Sequence, residues 1–309
     1  MRIAHEKVRV SVSATSANLG PGFDSLGLAL EMRDTYTLEV TTGATEVIVE
    51  GEGAGEVPLD DRHLVVRTIR STLDAVGAPQ CGIRLTCHNV IPHGRGLGSS
   101  AAAIVGGIAL ARGILAEPDA LDTQAMLALA TEAEGHPDNV APALLGGVTV
   151  GYMDGSVARA VCLDVAHTPD GRPALDPVVL TPATSLATER ARSLLPAEVP
   201  FASAVFNISR TALLVHALTS DVSLLMDATE DALHQEARGS AMPESAELVA
   251  RLREHGIPAV ISGAGPTVLI PAHAPATIAQ LLCDLVAEPE AWRLARVPLA
   301  TSGVATVLL

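Results

Sequence analysis

Pro92-His-Gly-Arg-Gly-Leu-Gly-Ser-Ser-Ala-Ala-Ala103 is a glycine and serine loop that runs straight into an apolar stretch. Glycines at 94, 96 and 98 are free to take positive φ and to bring backbone close to a ligand. The Ala/Ile/Val run from Ser99 to Leu115 has the composition of a buried helix. The N–H groups of such a loop form a concave anion nest, and the helix N-terminus behind it adds unsatisfied donors and the positive end of the dipole. Two serines add hydroxyls. The loop does not match G-x-x-x-x-G-K-[ST], so P-loop chemistry of that type is excluded. On its own the loop also reads as a tight, capped start to a helix.

Working outward, Ile83–His88 reads as a strand, so the local order is strand, glycine loop, helix. Upstream, Val8–Ala14 alternates with period two, and Thr35–Val40 and Val47–Glu50 give further strands. Leu64–Val76 has helical spacing. Downstream, Asp119 or Asp122 caps a helix that runs to about Glu134, and Gly135-His-Pro-Asp-Asn139 breaks it. Val148–Tyr152 and Val157–Leu163 read as strands, on either side of an Asp-Gly turn. The second half continues with strands at Val178–Leu180, Ala259–Ile261, Val268–Ile270, Trp292–Val297 and Val304–Leu308. Its helices are expected at Thr188–Leu195, Phe201–Leu218, Leu224–Gln235, Glu247–His255 and Thr277–Leu285. The mixture argues for α+β or α/β layers. Two domains, 1–160 and 161–309, suit a chain of 309 residues.

Net charge of −15 speaks against a nucleic-acid partner, whose binding rests on Lys and Arg at phosphates. Lys7 is the one lysine in the chain, so any phosphate site is built from backbone, hydroxyls and arginine. Cys81, Cys87, Cys162 and Cys283 show no C-x-x-C spacing and read as reduced thiols. The N-terminal residues carry no apolar signal segment, and no long uncharged apolar span stands out, so a cytoplasmic protein without a membrane partner is expected.

Two more loops share the character of the first. Ser16-Ala-Asn-Leu-Gly-Pro-Gly-Phe-Asp24 places Asn18 and Asp24 on a rigid Gly-Pro turn, and Ser262-Gly-Ala-Gly-Pro-Thr267 lies between two short apolar strands. Each alone is an ordinary turn. Together, in this order, they resemble the three motifs of the GHMP small-molecule kinases over nearly the whole chain. Ala17-Asn-Leu-Gly-Pro-Gly-Phe-Asp-Ser-Leu-Gly27 and Glu134-Gly-His-Pro-Asp-Asn-Val-Ala-Pro-Ala143 are similar to the branch of that family that phosphorylates homoserine.

The resemblance implies an α+β, two-domain GHMP kinase fold. Its N-terminal domain is like ribosomal protein S5 domain 2, its C-terminal domain is ferredoxin-like, and the active site lies between them. It implies ATP held by Pro92, His93, Gly94, Arg95, Gly96, Leu97, Gly98, Ser99, Ser100, Ala101 and Ala102. It implies Mg²⁺ on Ser100 and Glu134, with Glu132 the rival carboxylate. It assigns substrate contacts to Asn18, Asp24, Asn139, Arg192, Arg238 and Gly263, with Arg190 a neighbouring alternative, and places Thr188 near the reacting hydroxyl. The residue chemistry agrees: an arginine pair suits the carboxylate of L-homoserine, and Asp24 suits its ammonium. Ser100, Glu134, Asn139 and Thr188 are thereby the catalytic set.

Several GHMP kinases have an aspartate base where this chain has Asn139. An amide cannot take a proton at neutral pH, so no dedicated base is expected. His136 reads as turn packing and Asp138 as pointing elsewhere. A homodimer is the family expectation. Two other readings stay open: a GHMP kinase for another small alcohol, and a non-catalytic sensor that binds ATP and ligand on the same scaffold.

Overall fold

A computed structural model describes residues 1–272 and 274–309. Two sheets, each backed by helices, form the molecule. The first contains β1 (Lys7–Ala17), β2 (Leu26–Thr41), β3 (Glu46–Gly51), β4 (Gly82–Asn89), β5 (Val148–Asp154), β6 (Val157–Leu163) and β11 (Ala305–Leu308). Its order is β11-β1-β2-β4-β3, with β5 pairing both β2 and β6. Only β3 and β4 run parallel among these pairs. The second sheet has the order β10-β7-β9-β8, from β7 (Val178–Pro182), β8 (Val260–Ile261), β9 (Val268–Ile270) and β10 (Trp292–Arg296), all antiparallel.

Helices α1 (Leu64–Ala75), α2 (Ser99–Ile114), α3 (Thr123–Glu134) and α4 (Pro137–Leu145) accompany the first sheet. The other helices are α5 (Thr188–Arg192), α6 (Phe201–Thr219), α7 (Leu225–Ala228), α8 (Gln235–Gly239), α9 (Pro243–Glu254) and α10 (Ile278–Leu285). The main core joins the first sheet to α1–α4, and a second cluster gathers Val178, Leu180, Leu248, Leu252, Ile261, Val268 and Trp292 under the smaller sheet.

Helix α2 is central to this arrangement. Its glycines and alanines let α1 and β1 approach closely, and it is buried on nearly all sides. Strand β1 shows the same transition. It alternates between exposed and buried from Lys7 to Val10, then is buried on both faces from Val12 to Ala17, so it delivers its last residues into the interior.

Three readings change. The helix expected over Leu224–Gln235 is two short helices, α7 and α8, separated by a turn. Asp231 is the physical cause: its carboxylate accepts the N–H groups of Leu233, His234 and Gln235 at 3.0, 3.0 and 2.8 Å, capping a new helix where apolar spacing suggests continuity. Gly135–Asn139 breaks one helix but also starts the next, since Pro137 opens α4 and Asp138 and Asn139 fall in its first turn. Sheet membership does not follow a division at residue 160. That position lies inside β6, and β11 returns to pair with β1 in the first sheet.

Among the described residues one helix, α6, is long and apolar enough to cross a membrane by length and composition. Here it braces the first loop instead: Asn207 and Thr211 both donate to the Pro21 carbonyl, at 2.7 and 2.8 Å.

Candidate active site

The three glycine loops meet where the two sheets face each other. The Thr15 N–H donates to the Leu97 carbonyl at 3.0 Å, tying the end of β1 to the loop before α2. The Ser262 hydroxyl lies 2.6 Å from the Gly96 carbonyl and 2.8 Å from Ser16 Oγ. Gly263 N–H donates to the Ala17 carbonyl at 3.1 Å, and Asn18 Nδ2 returns a bond to the Gly263 carbonyl at 2.9 Å. Each loop thus supplies partners that the other two need.

Glycine is required where they touch. Gly96 has φ 73°, and a Cβ there would lie 2.2 Å from the Ser262 carbonyl oxygen. Gly98 has φ 68°, and a Cβ there would lie 1.9 Å from Thr15 Oγ1. The approach to the loop is anchored by Asp34, a buried carboxylate that accepts from Val90 N–H, Ile91 N–H and the Tyr36 hydroxyl at 2.7, 3.0 and 3.0 Å.

A cleft opens at this junction. Gly94, Arg95, Gly96, Leu97, Gly98, Ser99 and Ser100 form one wall. Asn18, Asp24, Glu134, Asn139, Thr188, Arg192, Arg238 and Gly263 complete it, so residues from both halves of the chain converge on one space. Four residues expected at the phosphates lie off the cleft surface. Ala101 and Ala102 are fully buried in α2, Pro92 is buried ahead of the loop, and His93 faces a neighbouring pocket. Of the rival positions, Glu132 and Arg190 are exposed and do not line the cleft.

Charge is distributed unevenly. On one side the Ser100 hydroxyl donates to Glu134 at 2.9 Å. Burial pushes the Glu134 carboxyl above its ordinary value, with the Ser100 bond working in the opposite direction. On the other side Asp24 pairs with Arg192, and Arg238 lies only 2 % exposed with its Nε unpartnered. Burial first, and the nearby Arg192 charge second, lower the Arg238 pKa. Two cations therefore converge on a region that holds the Asp24 carboxylate, with Asp138 close by. The turn made by Asp231 is what aims Arg238 here, because α8 begins immediately after it.

His136, expected as turn packing, and Asp138, expected to point elsewhere, also line the cleft. Proline at N1 of α4 turns the backbone so that Asp138 reaches His136 Nδ1 at 2.5 Å, and this bond raises the His136 pKa. The Thr15 hydroxyl donates to Asn139 Oδ1 at 2.8 Å, and Asn139 Nδ2 makes a long contact to Asp138 Oδ1 at 3.5 Å. Asp24, His136 and Asp138 lie close enough together to hold a metal ion. Arg192 already pairs with Asp24, and His136 is already bonded to Asp138. Ser100 and Glu134 instead offer two oxygen donors, one of them a carboxyl disfavoured as an anion by burial, which is the donor chemistry that suits a hard divalent cation.

The adjoining pocket, about 740 Å³, shares Ser99 and Ser100 with the cleft. Tyr36, Val57, Pro58, Leu64 and Val65 give it apolar walls, while the buried Asn89 Oδ1 and His63 Nδ1 have no hydrogen-bond partner. Nothing in the spacing of His63 and Asn89 signals this; they share a pocket only in the folded chain.

Comparison with known proteins bears on this geometry. Residues 63–147 match the model of the GHMP kinases N terminal domain, and residues 213–288 match that of the GHMP kinases C terminal. The chain is 53 % identical to a homoserine kinase of Streptomyces avermitilis over 263 residues, covering 85 % of this chain and 84 % of that one. It is 51 % identical to a homoserine kinase of Clavibacter michiganensis over 288 residues, 92 % of this chain and 89 % of that one. The crystal structure of a homoserine kinase from Cytophaga hutchinsonii superposes with a TM-score of 0.83 at 25 % identity, covering 98 % of each chain. A glycine loop without a lysine, a cleft built from both halves of the sequence, both family domains matched in order and relatives at about half identity have one consequence: the chain belongs to the GHMP kinase family.

Proposed function

We propose that this enzyme transfers the γ-phosphoryl group of ATP to the side-chain hydroxyl of L-homoserine, giving O-phospho-L-homoserine for threonine biosynthesis. The observation that carries the substrate is the placement of one carboxylate, Asp24, beside two guanidiniums, Arg192 and Arg238, across the cleft from the phosphate loop. A zwitterionic amino acid needs both signs of charge. A mevalonate-like acid that drew Arg192 away would leave Asp24 without a cationic partner, and a sugar would supply neither charge.

In this reading the Gly94–Ser100 backbone and the start of α2 hold the triphosphate. The nucleotide base enters the adjoining pocket, where apolar walls suit a planar ring and Asn89 Oδ1 and His63 Nδ1 await polar edges. Asp24 takes the substrate ammonium, and Arg192 and Arg238 take its carboxylate. Asn139 and Thr188 direct the hydroxyl toward the phosphate loop. Ser100 and Glu134 would hold Mg²⁺, which when bound neutralises phosphate charge. No side chain is assigned as the base; alignment and charge stabilisation carry the acceleration. A cytoplasmic location, where ATP is supplied, and a homodimer belong to the same reading.

The test is ADP release from the purified enzyme with Mg²⁺ and a panel of L-homoserine, L-serine, L-threonine, mevalonate and galactose. Turnover on L-homoserine far above the others is the expected result. A non-amino-acid alcohol outperforming it would overturn the substrate, and ATP binding without turnover on any of them would make the protein a sensor.

A further inference from the structure

Phe23 lies between Gly22 and Asp24 in the first loop and is one of three phenylalanines in the chain. Its ring is only partly buried, yet it touches both cations of the cleft. The Arg238 guanidinium carbon lies 5.2 Å from the ring centroid and that of Arg192 lies 5.7 Å away, both inside the range where a ring face attracts a cation. On a third side the His234 ring packs at 5.0 Å, tilted by 31°.

These contacts form a bracket. His234 Nε2 lies 2.8 Å from the Gly20 carbonyl, so this nitrogen carries the proton and donates. The other ring nitrogen, Nδ1, is then free to accept from Arg238 Nη1 at 3.3 Å. Arg238 also donates to the Gly263 carbonyl at 3.2 Å. The loop that carries Phe23 is itself constrained. Asn18, Leu19 and Asp24 have φ of 70°, 50° and 54°, and Asn18 Oδ1 accepts the Asp24 N–H at 3.0 Å, closing the turn around the ring.

Resting on the homoserine reading above, we propose that Phe23 is a positioning residue: its ring holds the Arg192 and Arg238 guanidiniums at the separation at which one substrate carboxylate reaches both. Two like charges brought together would otherwise spread apart. Asp24 restrains Arg192, but that restraint is removed when the substrate ammonium takes the Asp24 carboxylate. The ring is a neutral partner that keeps its hold on both cations through this exchange. Phe23 makes no contact with the reacting atoms in this scheme. It acts through the arginines, and its effect falls on substrate affinity.

The test is steady-state kinetics of the wild type, Phe23→Leu and Phe23→Tyr, with homoserine and ATP varied separately. A carboxylate-free analogue, 3-aminopropan-1-ol, serves as an inhibitor. Phe23→Leu is expected to raise the homoserine KM about ten-fold, with the ATP KM and the inhibition constant of 3-aminopropan-1-ol each within about two-fold of wild type. Phe23→Tyr, which keeps the ring, is expected to restore the homoserine KM. A Leu variant with wild-type KM overturns the proposal. So does one that weakens homoserine and 3-aminopropan-1-ol equally, since that marks a general distortion of the loop. So does a Tyr variant that behaves like Leu. Phe23→Met supplies the same comparison if the Leu variant does not fold. Wild-type enzyme inactive on homoserine is a separate result, seen before any variant is made, and it removes the substrate reading together with this inference.

Discussion

The Arg192 guanidinium closes on both carboxylate oxygens of Asp24, at 2.8 and 3.2 Å. They come from opposite halves of the chain, and each is the other's stand-in for one end of an amino acid. A zwitterion entering between them exchanges partners on both sides and strands neither charge.

That exchange predicts a sharp separation of kinetic effects. Arg192→Ala is expected to raise the homoserine KM by about ten- to a hundred-fold and leave the ATP KM within about two-fold. Equal changes in the two KM values, measured by ADP release, would remove Arg192 from the substrate clamp.

Glu134 predicts a conflict between stability and activity. Its folded-state carboxyl pKa is raised by burial, so its contribution to stability is full below the unfolded carboxyl pKa and is lost as pH rises through the folded value. In EDTA, at a pH above both values, the ionised side chain therefore costs stability. Glu134→Gln is expected to raise the Tm by about one to three degrees under those conditions. Its kcat should fall about a hundred-fold or more with Mg²⁺ present. A Gln variant that is less stable in EDTA and retains full activity would contradict both parts.

His136 has the opposite charge and the same sign of shift. Its bond to Asp138 raises the folded-state pKa, so the stabilisation is complete below the unfolded histidine value and disappears as pH climbs through the folded one. Thermal melts in EDTA between pH 6 and pH 9 are expected to show a loss of Tm with rising pH that is smaller in His136→Gln. Parallel profiles for the two proteins would refute the assignment.

Gly98→Ala tests the meeting of the loops. The residue has φ 68°, and an added Cβ would meet Thr15 Oγ1 at 1.9 Å. Strain of about 1–3 kcal/mol plus displacement of Thr15 should lower kcat/KM about a hundred-fold and shift the Tm down. Near-normal ATP turnover by this variant would mean that the loop tolerates a different path.

Asn207 tests the bracing from α6. Its side chain is buried, donates to the Pro21 carbonyl at 2.7 Å and accepts from Ala232 N–H at 3.2 Å, joining the first loop to the turn that aims Arg238. Asn207→Leu leaves the Ala232 N–H unpaired and removes one of the two donors to the Pro21 carbonyl, and is expected to cost about 1–3 kcal/mol in chemical denaturation. A loss below about 0.5 kcal/mol would show that this bridge is dispensable.

The parts legible in sequence are those set by local backbone chemistry. Gly94, Gly96 and Gly98 ahead of an apolar run announce a loop and a helix start, and the alternation in β1 announces a strand. Arg192 and Arg238 were reachable through resemblance alone, because an arginine on a short helix looks the same whether it faces solvent or a cleft. The division of α7 from α8 was hidden by the apolar spacing of Leu225, Ala228 and Ala232, which outweighed the capping carboxylate of Asp231 in the pattern. The orphaned Asn89 and His63 atoms, and the turn of Asp138 onto His136, depend on contacts between segments that no window of sequence contains.

Strand β11 lies against β1, with Val8 opposite Leu308 and Ser11 opposite Ala305. During synthesis β1 leaves the ribosome well before the strand that covers its edge. The bare edge of β1 must therefore wait, open to pairing with another chain, while the residues between are made. Both ends of the numbered chain are sewn into the same hem, and a truncation that removes β11 would return the finished molecule to that unguarded condition.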